Sequence, residues 1–268
     1  MEGIRSVERA AAVVQMVADS GAAGARLTDI AAATDLQKTT VHRLLGTLTQ
    51  LGWLEQDVAT GAFHLGLGLV ALGTAAANRH GLLDLANPHL LRLAELTADT
   101  VYLSVRIGAR ALCVDRVTGS FPIRTLTLGP GDRRPLGVGA GSLALLAWLP
   151  DHEIEPIITQ SATAGSGPLA DPAVLHQLID EARAQGYTHN PGLIVPGASG
   201  VGVPVRGSDG RPIAALSVAA IDSRLTEPRR VQVVRWLTKE AAELEDQLNS
   251  LSPNLNAADI RRLLPSIN

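Results

Sequence analysis

Six polar side chains crowd into seven consecutive positions: Gln37, Lys38, Thr39, Thr40, His42 and Arg43. Amide, ammonium, hydroxyl, imidazole and guanidinium groups at that density can donate hydrogen bonds to base edges and neutralise phosphates. That chemistry is recognition, not bond making, and the other reactive residues do not assemble into a catalytic pattern. The seven histidines (His42, His64, His80, His89, His152, His176, His189) show no H-x-x-x-H or H-x-x-E-H spacing. There is no Walker-type lysine loop, no G-x-S-x-G and no G-x-G-x-x-G after a strand. The single cysteine, Cys113, excludes an intrachain disulfide and a thiolate zinc site, and in an apolar strand it reads as core filler. Gly137, Gly139 and Gly141 would suit a phosphate loop, but no lysine follows. Neither an enzyme, nor a metal, nor a cofactor is expected.

The six polar residues must be positioned by their neighbours. Val41, Leu44, Leu45, Leu48 and Leu51 recur in steps of three and four, one buried face of a helix whose opposite face opens with the polar group. Ahead of it, Ile30, Ala31, Ala33 and Thr34 read as a short first helix with Thr28 as its N-cap and Asp29 at its N-terminus, and Asp35-Leu36 as the break. The same pattern is a solvated face in many helical domains, so the flanks decide. Trp53 to Asp57 and Ala62 to Leu65 read as two short strands around a Gly61-bearing turn. Two helices followed by a hairpin make a winged helix-turn-helix, which sets the second helix in the DNA major groove.

Length and charge frame this reading. The 268 residues allow one large or two modest domains, and 46% apolar residues supply ordinary cores. Met1 to Arg5 lacks the apolar stretch of a signal peptide, and no apolar run approaches the ~20 residues of a membrane span. A soluble cytoplasmic protein with no membrane partner is expected. Charge gives DNA binding no help: residues 1–66 hold five Arg and Lys against seven Asp and Glu, a net of −2. A basic footprint is absent, so affinity per monomer is expected to be modest and a dimer is favoured.

In chain order, Ile4 to Ser20 reads as a first helix, capped by Ser6, with Val7, Ala10, Ala11, Val14, Val17 and Ala18 inward. Leu65 to His80 reads either as a core helix or as an inter-domain linker. Leu82 to Thr97 is a helix with Leu83, Leu90, Leu93 and Leu96 inward. A hairpin follows (Val101 to Ile107, Leu112 to Val114), then a third strand from Phe121 to Leu128 and a loop at Gly129 to Asp132. An apolar helix (Ser142 to Trp148) comes next, then a short helix ending near Thr159 and an amphipathic helix from Asp171 to Ala184. A second hairpin (Val201 to Val205, Ile213 to Val218) leads to a last helix from Thr226 to Leu251. The second half is therefore α+β, an antiparallel sheet carrying helices.

With these elements in place, the chain resembles the IclR family of bacterial transcriptional regulators from about Ile4 to Leu248. The resemblance rests on SVERA (Ser6 to Ala10), on LTDIAAATDLQKTTVHRLLGTLTQLGWLE (Leu27 to Glu55), on PHLLRLAELTADTVYLSV, on the Gly137 to Ala147 loop and helix, on GVGVPV with DGRPIAALSV, and on SRLT (Ser223 to Thr226). It implies a winged helix-turn-helix domain over 4–66 (motif about 27–46), a linker helix over 67–80, a GAF/PAS-like effector-binding domain over 81–251 and a tail over 252–268. It further implies operator DNA, a small organic or aromatic acid as effector, and a homodimer or homotetramer. Carried onto this chain, the effector residues are Gly139 and Ala140, whose N–H groups suit a carboxylate, with Asn190, Gly200, Ser217 and Ala219. Asn190 stands where a glyoxylate-responsive member has Asp, Gly200 where it has Cys, and Ala219 where it has a second Ser. Ser142 replaces a common Lys and Asp35 the usual turn Gly. Those exchanges predict a roomier, less polar pocket and a larger acid than a two-carbon keto acid. A small-molecule sensor or interaction module without direct DNA binding is the alternative.

Overall fold

The computed structural model describes residues 4–78, 82–164 and 171–251. These fall into two compact units divided between residues 79 and 80. No helix among the described residues is long and apolar enough to cross a membrane.

The first unit holds α1 (Arg5–Asp19), α2 (Leu27–Thr34), α3 (Lys38–Gln50), a hairpin of β1 (Leu54–Gln56) and β2 (Phe63–Leu65), and α4 (Leu67–Asn78). Asp35 closes α2 in the left-handed conformation (φ 51, ψ 35), its N–H bonded to the Ala31 carbonyl. The short polar side chain of Asp tolerates that geometry, so the break expected at this residue is real. Val41, Leu45 and Leu48 of α3 pack with Val13, Val17, Ile30, Leu54 and Phe63. Leu51, at the end of the expected apolar face, is exposed, because the helix stops at Gln50. The stripe of α1 is also shifted. Val13 and Val17 are buried while Val7 is 63% exposed, so burial concentrates in the C-terminal half of the helix. Neither expected hydroxyl cap forms: α1 starts from Ile4 and α2 from Arg26, both extended. Ala25 adds a further bridge beside the hairpin, exchanging backbone bonds with Phe63 (3.0 and 2.8 Å).

The second unit is built on a six-stranded antiparallel sheet of β3 (Thr100–Ile107), β4 (Arg110–Thr118), β5 (Arg133–Pro135), β6 (Thr188–Val195), β7 (Ala198–Arg206) and β8 (Pro212–Ile221). Their order is β5-β4-β3-β8-β7-β6. Successive side chains point to opposite faces. Val101, Leu103, Val105, Val201, Val203, Leu216 and Val218 pack with α5 (Leu82–Thr97) and α9 (Glu227–Leu251). The alternate positions include Tyr102, Ser104, Gly200, Gly202 and Ser217; α6 (Ala140–Ala147) lies on that side, with α8 (Pro172–Gln185) against it and α7 (Asp151–Ala164) against α8.

Several expectations need correction here. Phe121 to Leu128 is not a strand. Pro122 interrupts it, and side chains take its carbonyls: Tyr102 that of Thr125, Arg134 that of Thr127, and Arg116 that of Leu128. The sheet edge is formed instead by Arg133–Pro135 against Arg110–Leu112. Leu96 is exposed, one position short of the buried Thr97. The helix expected to end near Thr159 continues to Ala164. The tail from 252 to 268 lies outside the described residues.

All eight residues of α6 are buried, and its start rests directly on β7. A Cβ at Gly202 would stand 2.8 Å from the Ala140 carbonyl oxygen, and one at Gly200 only 3.4 Å from the Ala140 Cβ. Thr188 seals the contact: its Oγ1 lies 2.8 Å from the Ala140 carbonyl oxygen and 3.1 Å from that of Gly202, sharing one proton between them. Gly202→Ala is therefore expected to lift the start of α6 and destabilise the protein by about 1–3 kcal/mol. Urea unfolding checks this; a midpoint equal to that of the parent chain would refute the close-approach argument.

Candidate functional site

The exposed face of α3 begins at its N-terminus. Gln37 is the extended N-cap and no side chain caps the helix, which leaves the first N–H groups facing outward. Gln37, Lys38, Thr39, His42 and Arg43 are exposed and Thr40 is half-buried. Among the described residues, none of these six side chains makes a hydrogen bond or ion pair. The helix itself contains Lys38, His42 and Arg43 and no acid. A helix start with free N–H groups and two cations attracts phosphate even though the segment around it is acidic overall. Thr47, one turn beyond Arg43, is also exposed, but its hydroxyl donates back to the Arg43 carbonyl (3.0 Å).

The hairpin tip has a different character. Asp57 accepts bonds from the N–H groups of Ala59 (2.7 Å) and Thr60 (3.1 Å). Those two bonds hold its carboxyl below the usual aspartate range. Val58 at the tip is 98% exposed, and residues 57–61 contain no cation. Sequence reading also passed over Arg26, exposed at the start of α2.

In the second unit a cavity lies between the sheet, the start of α6 and the loop 121–128. About 60 Å³ of it is open to the centre of a water molecule, room for several waters or one small organic molecule. Gly139, Ala140, Asn190, Gly200, Ser217 and Ala219 all line it. Four of the six come from the neighbouring strands β6, β7 and β8, where Asn190 pairs with Gly200 and Gly200 with Ala219. Gly139 caps α6 at φ 94, a conformation that favours glycine. Ser217 is buried opposite Gly141, where an added Cβ would meet its Oγ at 2.7 Å. Among the described residues the hydroxyls of Ser217 and Ser104 have no hydrogen-bond partner. Asn190 is buried with its Oδ1 taken by the Leu193 N–H (2.9 Å), so its amide N–H₂ group is the part left to donate.

Four wall residues carry signals that sequence reading did not use. Tyr102 donates to the Thr125 carbonyl, and burial pushes its phenol up. Ser104 lies opposite Cys113 across β3 and β4. Burial also pushes the Cys113 thiol up, to about 11. Arg134 is half-buried, and burial pulls its guanidinium down, although an arginine keeps its proton. Period-two alternation along β3 and β4 could have put the first three on one face. Arg134 follows the 121–128 loop and has no such periodicity.

Both units match known proteins. Residues 6–58 match the IclR helix-turn-helix domain, and residues 74–246 match the C-terminal domain of the bacterial transcriptional regulator IclR. The chain belongs to the IclR family. It is a transcriptional regulator with a DNA-binding helix-turn-helix domain and a C-terminal effector-binding domain. It is 33% identical to the regulator KipR of Bacillus subtilis over 83% of this chain and 88% of that protein. It is 31% identical to the repressor AllR of Escherichia coli K12 over 92% and 91%. An IclR regulator from Alicyclobacillus acidocaldarius shares the fold at a TM-score of 0.81 and 24% identity, over 91% of this chain and 99% of that one. An IclR homologue from Microbacterium hydrocarbonoxydans, solved in complex with 4-hydroxybenzoate, superposes at 0.75 with 26% identity over the same shares.

The cavity carries a native reporter. A thiol with a pKa near 11 is about 0.1% thiolate at pH 8, against roughly a quarter for an ordinary cysteine. Iodoacetamide is expected to modify Cys113 at least about a hundredfold more slowly in the folded protein than in urea, and more slowly still when the cavity is filled. Equal rates in the two states would mean that the thiol is neither buried nor protonated as described.

Proposed function

We propose that α3 reads operator DNA through Gln37, Lys38, Thr39, Thr40, His42 and Arg43, and that the cavity lined by Gly139, Ala140, Asn190, Gly200, Ser217 and Ala219 holds the effector. The observation that carries the second half is the convergence of six positions from four separate stretches on one cavity with unpartnered donors. The effector is a small organic or aromatic acid, in keeping with the 4-hydroxybenzoate bound by the Microbacterium homologue. The chain acts without catalysis, in the cytoplasm, as a homodimer or homotetramer. Ile4 and Val7 on α1 and Leu67 and Leu72 on α4 are exposed apolar side chains that association would cover. Two recognition helices would also offset the weak basic footprint of one.

Arg43→Ala is expected to weaken binding to the DNA upstream of the protein's own gene by about ten- to a hundredfold. The parent affinity should fall steeply as salt rises, because phosphate contacts release counterions. Gel shifts at two salt concentrations read both effects; a variant that shifts DNA like its parent would remove Arg43 from the interface.

Ser217→Leu puts a larger side chain into the cavity and changes no residue of the first unit. It should abolish the effector response while leaving operator affinity within about twofold, because each unit has its own hydrophobic core. Release of DNA by 4-hydroxybenzoate and other small acids measures this, and a normal dose-response in the variant would put the effector elsewhere.

A further inference from the structure

Arg134 is the only charged residue in the cavity wall among the described residues. No Asp, Glu or His side chain lines it. The other polar groups in its wall include the Ser104 and Ser217 hydroxyls, the Asn190 amide and the Thr125 and Thr127 hydroxyls. The wall therefore offers donors and one positive charge, and its remainder is largely apolar, with Val138, Ile194 and Leu128.

The guanidinium has no carboxylate partner within ion-pair distance among the described residues. One nitrogen donates to the Thr127 carbonyl. The acid that acts on it, Asp132, lies beyond that distance and accepts the Gly129 N–H at 2.6 Å. Burying a cation without a counter-ion is unfavourable, and a bound anion relieves that cost. The other guanidinium NH nitrogen stands 3.7 Å from where a Cβ of Gly139 would lie, so it overhangs the start of α6. There the N–H groups of Ala140, Gly141 and Ser142 precede the first intrahelical bond, from Leu143 N–H to the Gly139 carbonyl (2.8 Å). Ser217, buried and unpartnered, meets the same turn from the sheet side. A guanidinium beside Gly139 and a free hydroxyl beside Gly141 thus flank the same helix start.

We propose that Arg134 is the charge-reading residue of this cavity: the effector places a single carboxylate between the Arg134 guanidinium and the first turn of α6, and lays an uncharged body against the apolar wall. This rests on the reading of the cavity as the effector site. It makes Arg134, a position outside the six carried over by resemblance, the determinant of acid over neutral ligands. A ligand with two carboxylates has no second cation to meet.

The test uses acids paired with their primary amides: 4-hydroxybenzoate with 4-hydroxybenzamide, benzoate with benzamide, and pyruvate with pyruvamide. Binding to the full chain is followed by calorimetry and by slowed alkylation of Cys113. The parent protein should prefer at least one acid over its amide by about ten- to a hundredfold, the range for a hydrogen bond to a charged group. Arg134→Gln should bring that ratio close to one, and Arg134→Lys should keep part of it, with the melting temperature of each unliganded variant checked against the parent. An acid preference that survives in Arg134→Gln would overturn the assignment and leave the effector site standing. Equal binding of acid and amide by the parent would show that the cavity does not read charge, and would overturn it too. Failure of every acid and amide to bind the parent or protect Cys113 would sink the effector-site reading along with it.

Discussion

The second unit depends on one close approach, the start of α6 against β7. An eight-residue helix is too short to be stable in water by itself, so α6 exists because packing holds it. Packing at this distance requires that β7 carry no side chain at Gly202, and a Cβ at Gly200 would already touch Ala140. With the helix seated, Thr188 satisfies two carbonyls at the contact, and Ser142 ties the first turn to the Pro135 carbonyl at 2.9 Å. That tie fixes β5, the strand that carries Arg134. The cavity is what remains when a helix lies on glycines but not on the larger strand residues beside them. Its donors are therefore backbone N–H groups and side chains held by rigid elements, so they stay in place when no ligand is bound.

The first unit solves a different problem with a similar economy of side chains. Asp35 turns the chain within one residue, so α2 and α3 share the core of Val41, Leu45 and Leu48 and the opposite side of α3 stays outside. An acidic segment can still meet a polyanion if its acids lie off the contact surface. Here α3 has none, and Asp57 is tied into the hairpin turn by its own backbone. The local field at α3 then combines Lys38, Arg43 and the helix dipole with the exposed Asp35 just ahead of the helix, all of which matter most within a Debye length of about 8 Å.

Much of this was legible in the sequence where periodicity is strong. The face of α3, the helix from Pro172 with its Asp171 cap and Gly186 stop, and the two long hairpins follow from spacing and turn residues alone. The failures have identifiable causes. Val7 and Leu96 continue an apolar period beyond the part of the helix that has a neighbour, which no periodicity can disclose. The apolar, β-branched run from Phe121 reads as a strand, yet Pro122 and the side chains of Tyr102, Arg116 and Arg134 compete successfully for its backbone. Once that run is lost as a strand, Arg133 to Pro135 becomes the sheet edge, and Arg134 enters the cavity from a stretch that reads as loop. The six carried-over positions were found by resemblance; the one charged wall residue was not, because it belongs to the least regular part of the chain.

Electrostatics ties the exchanged pocket residues to Arg134. An Asp at position 190 would place a negative charge or a shared proton in the wall, and a carboxylate ligand would have to meet it. With Asn there, and its oxygen already bonded to the Leu193 N–H, position 190 contributes donors alone. Gly200 and Ala219 remove further polar groups from the strands between Asn190 and Ser217. What is left on the sheet side is one free serine hydroxyl on β8, one on β3 and an amide. Polar groups that remain unpaired in an empty cavity are tolerated only in small number, so removing them from one wall permits a half-buried cation on the other. A ligand that satisfied both walls would carry its charge at one end and its apolar bulk at the other. The same exchange leaves a small, doubly polar keto acid with too few partners at its second end.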